Sequence, residues 1–296
     1  MSLTNLSFLG PISGSLQKWL TISILVPLAS FSSFAGASSG PAAGTSKPDV
    51  RSNAALVIDE SDSSILFARQ ANAPVPIASI TKLMTALVVL DAKLPLDEPI
   101  KIIKDDRIGE LSGPSRLEVG ATLTRGELLH LALMSSENHA AHAAGRSYPG
   151  GIPAVVLAMN AKAKALGMTN TRFVDPTGLS SRNVASPADL SKLVIAASQN
   201  PTISAFSTDH THSVRVGKRM VEFRNTNNLV SKPAWNIVVQ KTGYISEAGK
   251  CLVMKAVIQG RSVIIVLMDS FGKYTRVADA NRIKKWMEAG TVTASL

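Results

Sequence analysis

One cysteine in 296 residues leaves no internal disulfide to form, and Cys251 sits in an apolar run, Cys251 to Ile258, that reads as a buried strand. Aromatic residues are scarce at 5%, and no block of Lys or Arg forms a tail, although the net charge is +10. Both shortages argue against nucleic-acid binding. The positive charge then belongs to a solvated surface or to attraction towards another polyanion. No His-Glu-x-x-His frame occurs. His139 and His142 are three apart, and His210-Thr211-His212 follows Asp209, so ligand types for zinc exist without a cysteine partner or the usual helical spacing. No glutamate lies between Glu137 and Glu222, an absence that matters below.

Acids are also missing from residues 1 to 37. They hold one base, Lys18, then the apolar run Trp19 to Ala29 and small residues ending Ala35-Gly36-Ala37. That order predicts a secretory signal peptide cleaved after Ala37, because the apolar core is too short and too serine-rich for a comfortable membrane span. Residues 38 to 48, rich in Gly, Ala, Ser and Pro, read as a flexible leader.

A globular domain is expected over residues 49–290, with 291–296 as a tail. Ala54 to Asp59 and Ser64 to Arg69 flank a polar turn and predict a hairpin. Pro76 and the apolar run to Leu90 predict a helix with Ser79 near its start. Thr124-Arg125-Gly126-Glu127 is a capping box that should open a helix at Arg125, and further helices are expected from about His139 to Gly145 and from Ile152 to Ala165. Another should begin at Ser186-Pro187 and end at Asn200-Pro201. Beyond Pro201 the period turns to two: a hairpin around Gly217-Lys218, a strand from Trp235 to Gln240, a strand pair around Gly260, and a closing helix from Tyr274 to Ala289. The expected fold is α+β, one antiparallel sheet built from both chain ends and covered by helices. The sheet lobe would take roughly 49–95 and 201–290, and an inserted, mostly helical lobe 96–200.

Three short elements stand in order along this plan. Ser79-Ile80-Thr81-Lys82 puts an amine one helical turn from a hydroxyl, on one face, near a helix start whose N–H groups and dipole favour developing negative charge. Ser136-Glu137-Asn138 follows a helix, and Lys241-Thr242-Gly243 ends the Trp235 strand. Ser-x-x-Lys also occurs at Ser15/Lys18 and Ser270/Lys273, and Ser-x-Asn at Ser181/Asn183 and Ser198/Asn200, so each is weak singly; Lys241-Thr242-Gly243 has no second copy. Their joint occurrence in this order is the signature set of penicillin-interacting serine enzymes.

With these motifs the chain resembles the low-molecular-mass penicillin-binding proteins, the serine D-alanyl-D-alanine peptidases, from about Ala54 to Trp286. Leu133 to Asn138, Asp175-Pro176-Thr177-Gly178-Leu179 and Phe271-Gly272-Lys273-Tyr274 most resemble the endopeptidase branch. The resemblance implies a β-lactamase/transpeptidase-like fold and a periplasmic enzyme that cleaves peptidoglycan peptide stems and is acylated by β-lactam antibiotics. It would work without metal or organic cofactor, and no stable transmembrane anchor is expected after processing. Ser79 would be the nucleophile, Lys82 its base and Ser136 the relay to the departing amine. A neutral Lys82 requires burial or a neighbouring cation, for which Lys241 is the candidate. Asn138 would hold Lys82 and the substrate amide, Lys241 and Thr242 would receive a carboxylate, and Gly243 would let an extended substrate lie along the strand. The oxyanion would face the N–H groups of Ser79 and Tyr244. A class A β-lactamase shares the three motifs, but its deacylating glutamate has no counterpart between Glu137 and Glu222. A wall-binding module that acylates without turnover would carry the same motifs.

Overall fold

In the computed structural model the described residues are 47–108 and 115–292. The expected signal peptide, nearly all of the leader and residues 293–296 lie outside them. Strand β1 (Ala54–Asp59) and β2 (Ile65–Arg69) form the first hairpin. The short β3 (Val75–Pro76) leads into a 3-10 turn over Ala78–Ile80, which continues without a break into helix α1 (Thr81–Asp91). Thr81 to Val89 are all buried, which makes α1 the axis of the helical region.

Around α1 stand β4 (Pro99–Lys101), β5 (Thr122–Thr124), α2 (Arg125–Met134), α3 (Asn138–Arg146) and α4 (Gly151–Ala165). The capping box forms: Thr124 Oγ1 accepts from Glu127 N at 3.1 Å, and Thr124 N donates to Glu127 Oε2 at 2.7 Å. After β6 (Val184–Ala185), which pairs with β3, Ser186 caps α5 (Pro187–Ser198) by accepting from Asp189 N at 3.2 Å.

The period-two reading beyond Pro201 fails for its first eight residues. Pro201–Thr208 is helix α6, because Asn200 Oδ1 accepts from both Thr202 N and Ile203 N and Pro201 supplies the fixed φ of a first turn. The Asn-Pro pair therefore both stops one helix and starts the next. The expected hairpin follows as β7 (Thr211–Val216) and β8 (Arg219–Arg224), but it is a two-stranded sheet of its own, resting against β5 and α2.

Strands β9 (Asn236–Ile245), β10 (Gly249–Ile258) and β11 (Arg261–Ser270) complete the main sheet in the order β2-β1-β11-β10-β9, with every neighbouring pair antiparallel. The sheet is assembled from both chain ends, as expected. Lys241-Thr242-Gly243 lies within β9 rather than at the end of a strand, since pairing continues to Ile245. Helix α7 (Thr275–Val292) closes the fold.

Alternation sends successive side chains of β11 into two apolar cores. Ile264, Val266 and Met268 face α5 and join the core that also holds α1 and α2, whereas Val263, Ile265 and Leu267 join Ala280, Ile283 and Met287 of α7. No helix among the described residues is long and apolar enough to cross a membrane.

Candidate active site

The chain enters the site through Ala78, which holds φ +48° without being glycine, and turns so that Ser79 and Lys82 project from the 3-10 turn and the first turn of α1. Lys82 is completely buried. Its Nζ lies 2.8 Å from Ser79 Oγ, 2.8 Å from Asn138 Oδ1 and 2.8 Å from the Thr177 carbonyl. Two of these partners are oxygens that only accept. A neutral amine has two N–H bonds and one lone pair, so with both hydrogens given to Asn138 and Thr177 the lone pair faces the Ser79 hydroxyl, the one partner able to donate. Burial pushes the Lys82 ammonium down to about 7, against the opposing pull of the Glu137 and Asp175 carboxylates. The main cause is thus burial rather than a second cation.

The Thr177 carbonyl is held by a loop that sequence reasoning left without a role. Asp175 accepts from Thr177 N (2.7 Å), Thr177 Oγ1 (2.6 Å), Gly178 N (2.8 Å), Ser180 N (3.1 Å) and Asn183 Nδ2 (2.5 Å). These bonds keep the Asp175 carboxyl ionised below its usual range despite its burial. Gly178 adopts φ +81°, and a Cβ there would lie 1.9 Å from the Ala78 carbonyl oxygen. The loop therefore fits directly beneath the residue before Ser79. Asp-Pro-Thr-Gly is a turn signal, but nothing local says what the turn supports.

Ser136 sits in the connection from α2 to α3 at φ +62°, a conformation that costs a non-glycine residue about 1 kcal/mol or more. The connection is pinned by Glu137 N donating to the Leu131 carbonyl at 3.1 Å, and Glu137 caps α3 by accepting from His139 N at 3.2 Å. Asn138, the first residue of α3, is thereby brought to Lys82.

Edge strand β9 supplies the opposite wall. Lys241 is fully buried; burial, the Lys82 charge and Arg276 all push its ammonium down, and its Nζ donates to the Thr242 carbonyl at 2.9 Å. Thr242 Oγ1 shares a 2.6 Å hydrogen bond with Thr226 Oγ1. A Cβ on Gly243 would lie 3.0 Å from the Ile77 carbonyl oxygen, 3.1 Å from Ala78 Cβ and 3.2 Å from Ser79 N. The glycine is thus needed where the strand touches the turn carrying Ser79, a reason different from the expected clearance for substrate. The Tyr244 ring is exposed and turned to Lys250, whose Nζ lies 3.7 Å from the ring centre.

Arg276 has no motif to mark it, yet its Nη1 donates to the Gly243 carbonyl at 2.7 Å and the Cys251 carbonyl at 3.0 Å. It comes from α7 and adds a third cation to this wall. Cys251 is a buried core residue whose thiol is pushed up to about 12 by burial.

The histidines take separate partners. His139 Nδ1 meets the Leu117 carbonyl and His142 Nδ1 meets Asp106, while His210 meets the Val230 carbonyl and His212 stacks on His130. No cluster of three metal-ligating side chains occurs among the described residues.

A serine bonded to a buried lysine whose ammonium is pushed down to about 7, at the seam between an antiparallel sheet and a helical lobe, is the arrangement of an acyl-transferring serine hydrolase. Residues 42–272 match the D-alanyl-D-alanine carboxypeptidase family of serine peptidases, and the chain belongs to that family. It is 50% identical over 249 residues to a D-alanyl-D-alanine endopeptidase of Pseudomonas aeruginosa, covering 83% of this chain and 80% of the relative. With the D-alanyl-D-alanine endopeptidase of Escherichia coli it shares 45% identity over 276 residues, 92% of this chain and 88% of the relative. The crystal structure of the Streptomyces K15 DD-transpeptidase superposes with a TM-score of 0.76 at 28% identity, covering 82% of this chain and 99% of that one.

Proposed function

We propose that this chain is an exported serine D-alanyl-D-alanine endopeptidase that hydrolyses peptide cross-links of peptidoglycan through an acyl-serine. The observation that carries the reading is the Lys82 amine, buried, with two hydrogens engaged and its lone pair left for Ser79. The two relatives named as endopeptidases, at 45% and 50% identity, support the choice of cross-link over free stem.

In this mechanism Ser79 Oγ attacks the carbonyl of the scissile D-alanyl bond while its proton passes to Lys82. The oxyanion faces the N–H groups of Ser79 and Tyr244, where each donor is worth about 3 kcal/mol of barrier. Collapse breaks the C–N bond, and the departing amine takes the proton from Lys82 by way of Ser136, leaving acyl-Ser79. Water then attacks the ester, loses its proton to Lys82, and Ser79 Oγ leaves with that proton. Asn138 holds Lys82 and the substrate amide, Lys241 and Thr242 receive the carboxylate of the leaving residue, and Gly243 keeps β9 against Ser79. No metal or organic cofactor takes part. β-Lactams acylate Ser79 by the same first step and act as covalent inhibitors. Residues 49–290 form the catalytic domain, delivered to the periplasm by cleavage after Ala37.

Ser79→Ala should abolish covalent labelling by penicillin with an unchanged thermal unfolding midpoint; a variant that still labels overturns the assignment. Mass spectrometry of digests of a cross-linked muropeptide dimer and of a free pentapeptide reads the specificity. Cleavage of the dimer is expected, and loss of only the terminal D-alanine from the pentapeptide would make the enzyme a carboxypeptidase.

A further inference from the structure

The Phe271-Gly272-Lys273-Tyr274 segment takes no part in the chemistry above, yet it forms a built surface. Gly272, at φ +80°, turns the chain between β11 and α7, and Thr275 Oγ1 donates to the Phe271 carbonyl to fix the turn. Together with the turn from β9 to β10 it encloses a cleft of about 520 Å³ lined by Tyr244, Ser246, Gly249, Lys250, Phe271 and Lys273. Three aromatic rings stand in solvent here: Phe271 is 89% exposed, Tyr274 65% and Tyr244 58%. In a chain with 5% aromatics, such a group on one patch calls for an occupant.

The charge of the patch is one-sided. Lys250 lies over the Tyr244 ring at 3.7 Å and Lys273 over the Tyr274 ring at 5.3 Å, and neither makes an ion pair among the described residues. Burial lowers the Lys250 ammonium, and repulsion from Arg276 and Lys273 adds to it. The neighbouring carboxylates are already engaged: Glu247 accepts from Ser246 Oγ at 2.9 Å, and Asp269 accepts from Asn53 Nδ2 at 2.9 Å.

Position gives the occupant. Along β9 the order is Lys241 and Thr242, then Gly243 beside Ser79 N, then Tyr244, with Ser246 in the turn just beyond. A substrate with its leaving carboxylate at Lys241 and Thr242 and its scissile carbonyl at Ser79 must extend its acyl half past Tyr244, along the free edge of the sheet. We infer that the cleft between Tyr244, Lys250, Phe271 and Lys273 binds the acyl-side peptide stem of the substrate, its lysines receiving the stem carboxylates and its aromatic rings covering the stem backbone. This inference rests on the peptidase reading above and adds to it a preference for acidic, unamidated stems.

The test uses the full chain and Lys250→Ala/Lys273→Ala, with Phe271→Ala as a second variant. Each lysine is worth about threefold in affinity and the pair about tenfold, so the double variant should lose about tenfold in kcat/KM on an unamidated cross-linked dimer, mostly through KM. Amidating the stem carboxylates should lower wild-type kcat/KM by a similar factor and erase the difference between wild type and variant. Acylation by benzylpenicillin, which carries no stem, should stay within about twofold, and Phe271→Ala should weaken amidated and unamidated dimers alike. Calorimetric binding of the dimer to Ser79→Ala, with and without the lysine substitutions, reads the cleft independently of turnover. Lysine-insensitive binding, or an equal loss in penicillin acylation, overturns the stem site. A wild-type protein that binds the dimer through these lysines but never cleaves it overturns the peptidase reading instead.

Discussion

The two faces of the main sheet both pack apolar cores, but they differ in what borders those cores. Towards α7 the sheet presents Ala55, Val57, Leu252, Met254, Val263, Ile265 and Leu267 to Ala280, Ile283 and Met287, an apolar contact that stabilises at about 25 cal/mol per Å² of buried surface. Towards α1 the same sheet borders a seam holding Lys82, Lys241, Thr85 and Thr177, all buried and polar. Each polar group there has its partner, down to Thr85 Oγ1 donating to the Pro176 carbonyl at 2.7 Å. Burying an amine opposes folding, and the seam tolerates it because the neutral form is fully hydrogen-bonded. Both faces pack an apolar core, and only the one towards α1 also borders a buried polar seam that serves reactivity.

The sharpest way to break this contrast is Lys82→Met. Acylation by penicillin should fall by about 10³-fold or more, as expected when a nucleophile loses its base. Relief from amine burial and the two orphaned acceptors, Asn138 Oδ1 and the Thr177 carbonyl, should roughly offset, leaving unfolding free energy within about 1 kcal/mol in urea titration. Ile265→Ala should do the reverse. It should lower stability by about 2–4 kcal/mol while the acylation rate per folded molecule stays unchanged.

pH separates the faces further. The reactive form of Lys82 is the neutral one, and its proton is lost through a pH of about 7, so acylation should be present above that value. Below it the rate should drop about tenfold per unit, a one-proton profile. Ile265→Ala should leave the midpoint in place; a shifted midpoint would show that the apolar face also sets the site's electrostatics. The smallest effect belongs to a position serving neither face: Thr124→Ala removes the α2 cap and should cost about 1 kcal/mol in thermal or urea unfolding with no change in acylation.

Elements with a local cause were legible. The capping box at Thr124 and the serine cap at Ser186 mark their helices because side chain and backbone meet within four residues. Strands β10 and β11 were equally plain as nearly continuous apolar runs, because both of their faces are covered. Helix α6 was missed because Pro201–Thr208 is short and holds Thr202, Ile203 and Thr208, β-branched residues that suit a strand as well. Packing of Ile203 and Ser207 into the interior, four residues apart, decided for the helix. Of the site, the three motifs stood out by type and order, whereas Arg276 and the Asp175 loop did not. Arg276 meets Gly243 from 33 residues away, and no spacing rule connects them.

By itself the sequence determined most of the order of elements and the pairing of a serine and a lysine one helical turn apart, because these follow from backbone geometry within a few residues. Tertiary structure alone decided that Lys82 is dry, that Thr177 and Asn138 occupy its two hydrogens, and that Gly178 and Gly243 are glycine because the turn before Ser79 is gripped from both sides. Proton affinity depends on exclusion of water and on partners 56 and 95 residues away, and those are properties of the packed interior rather than of any segment of chain.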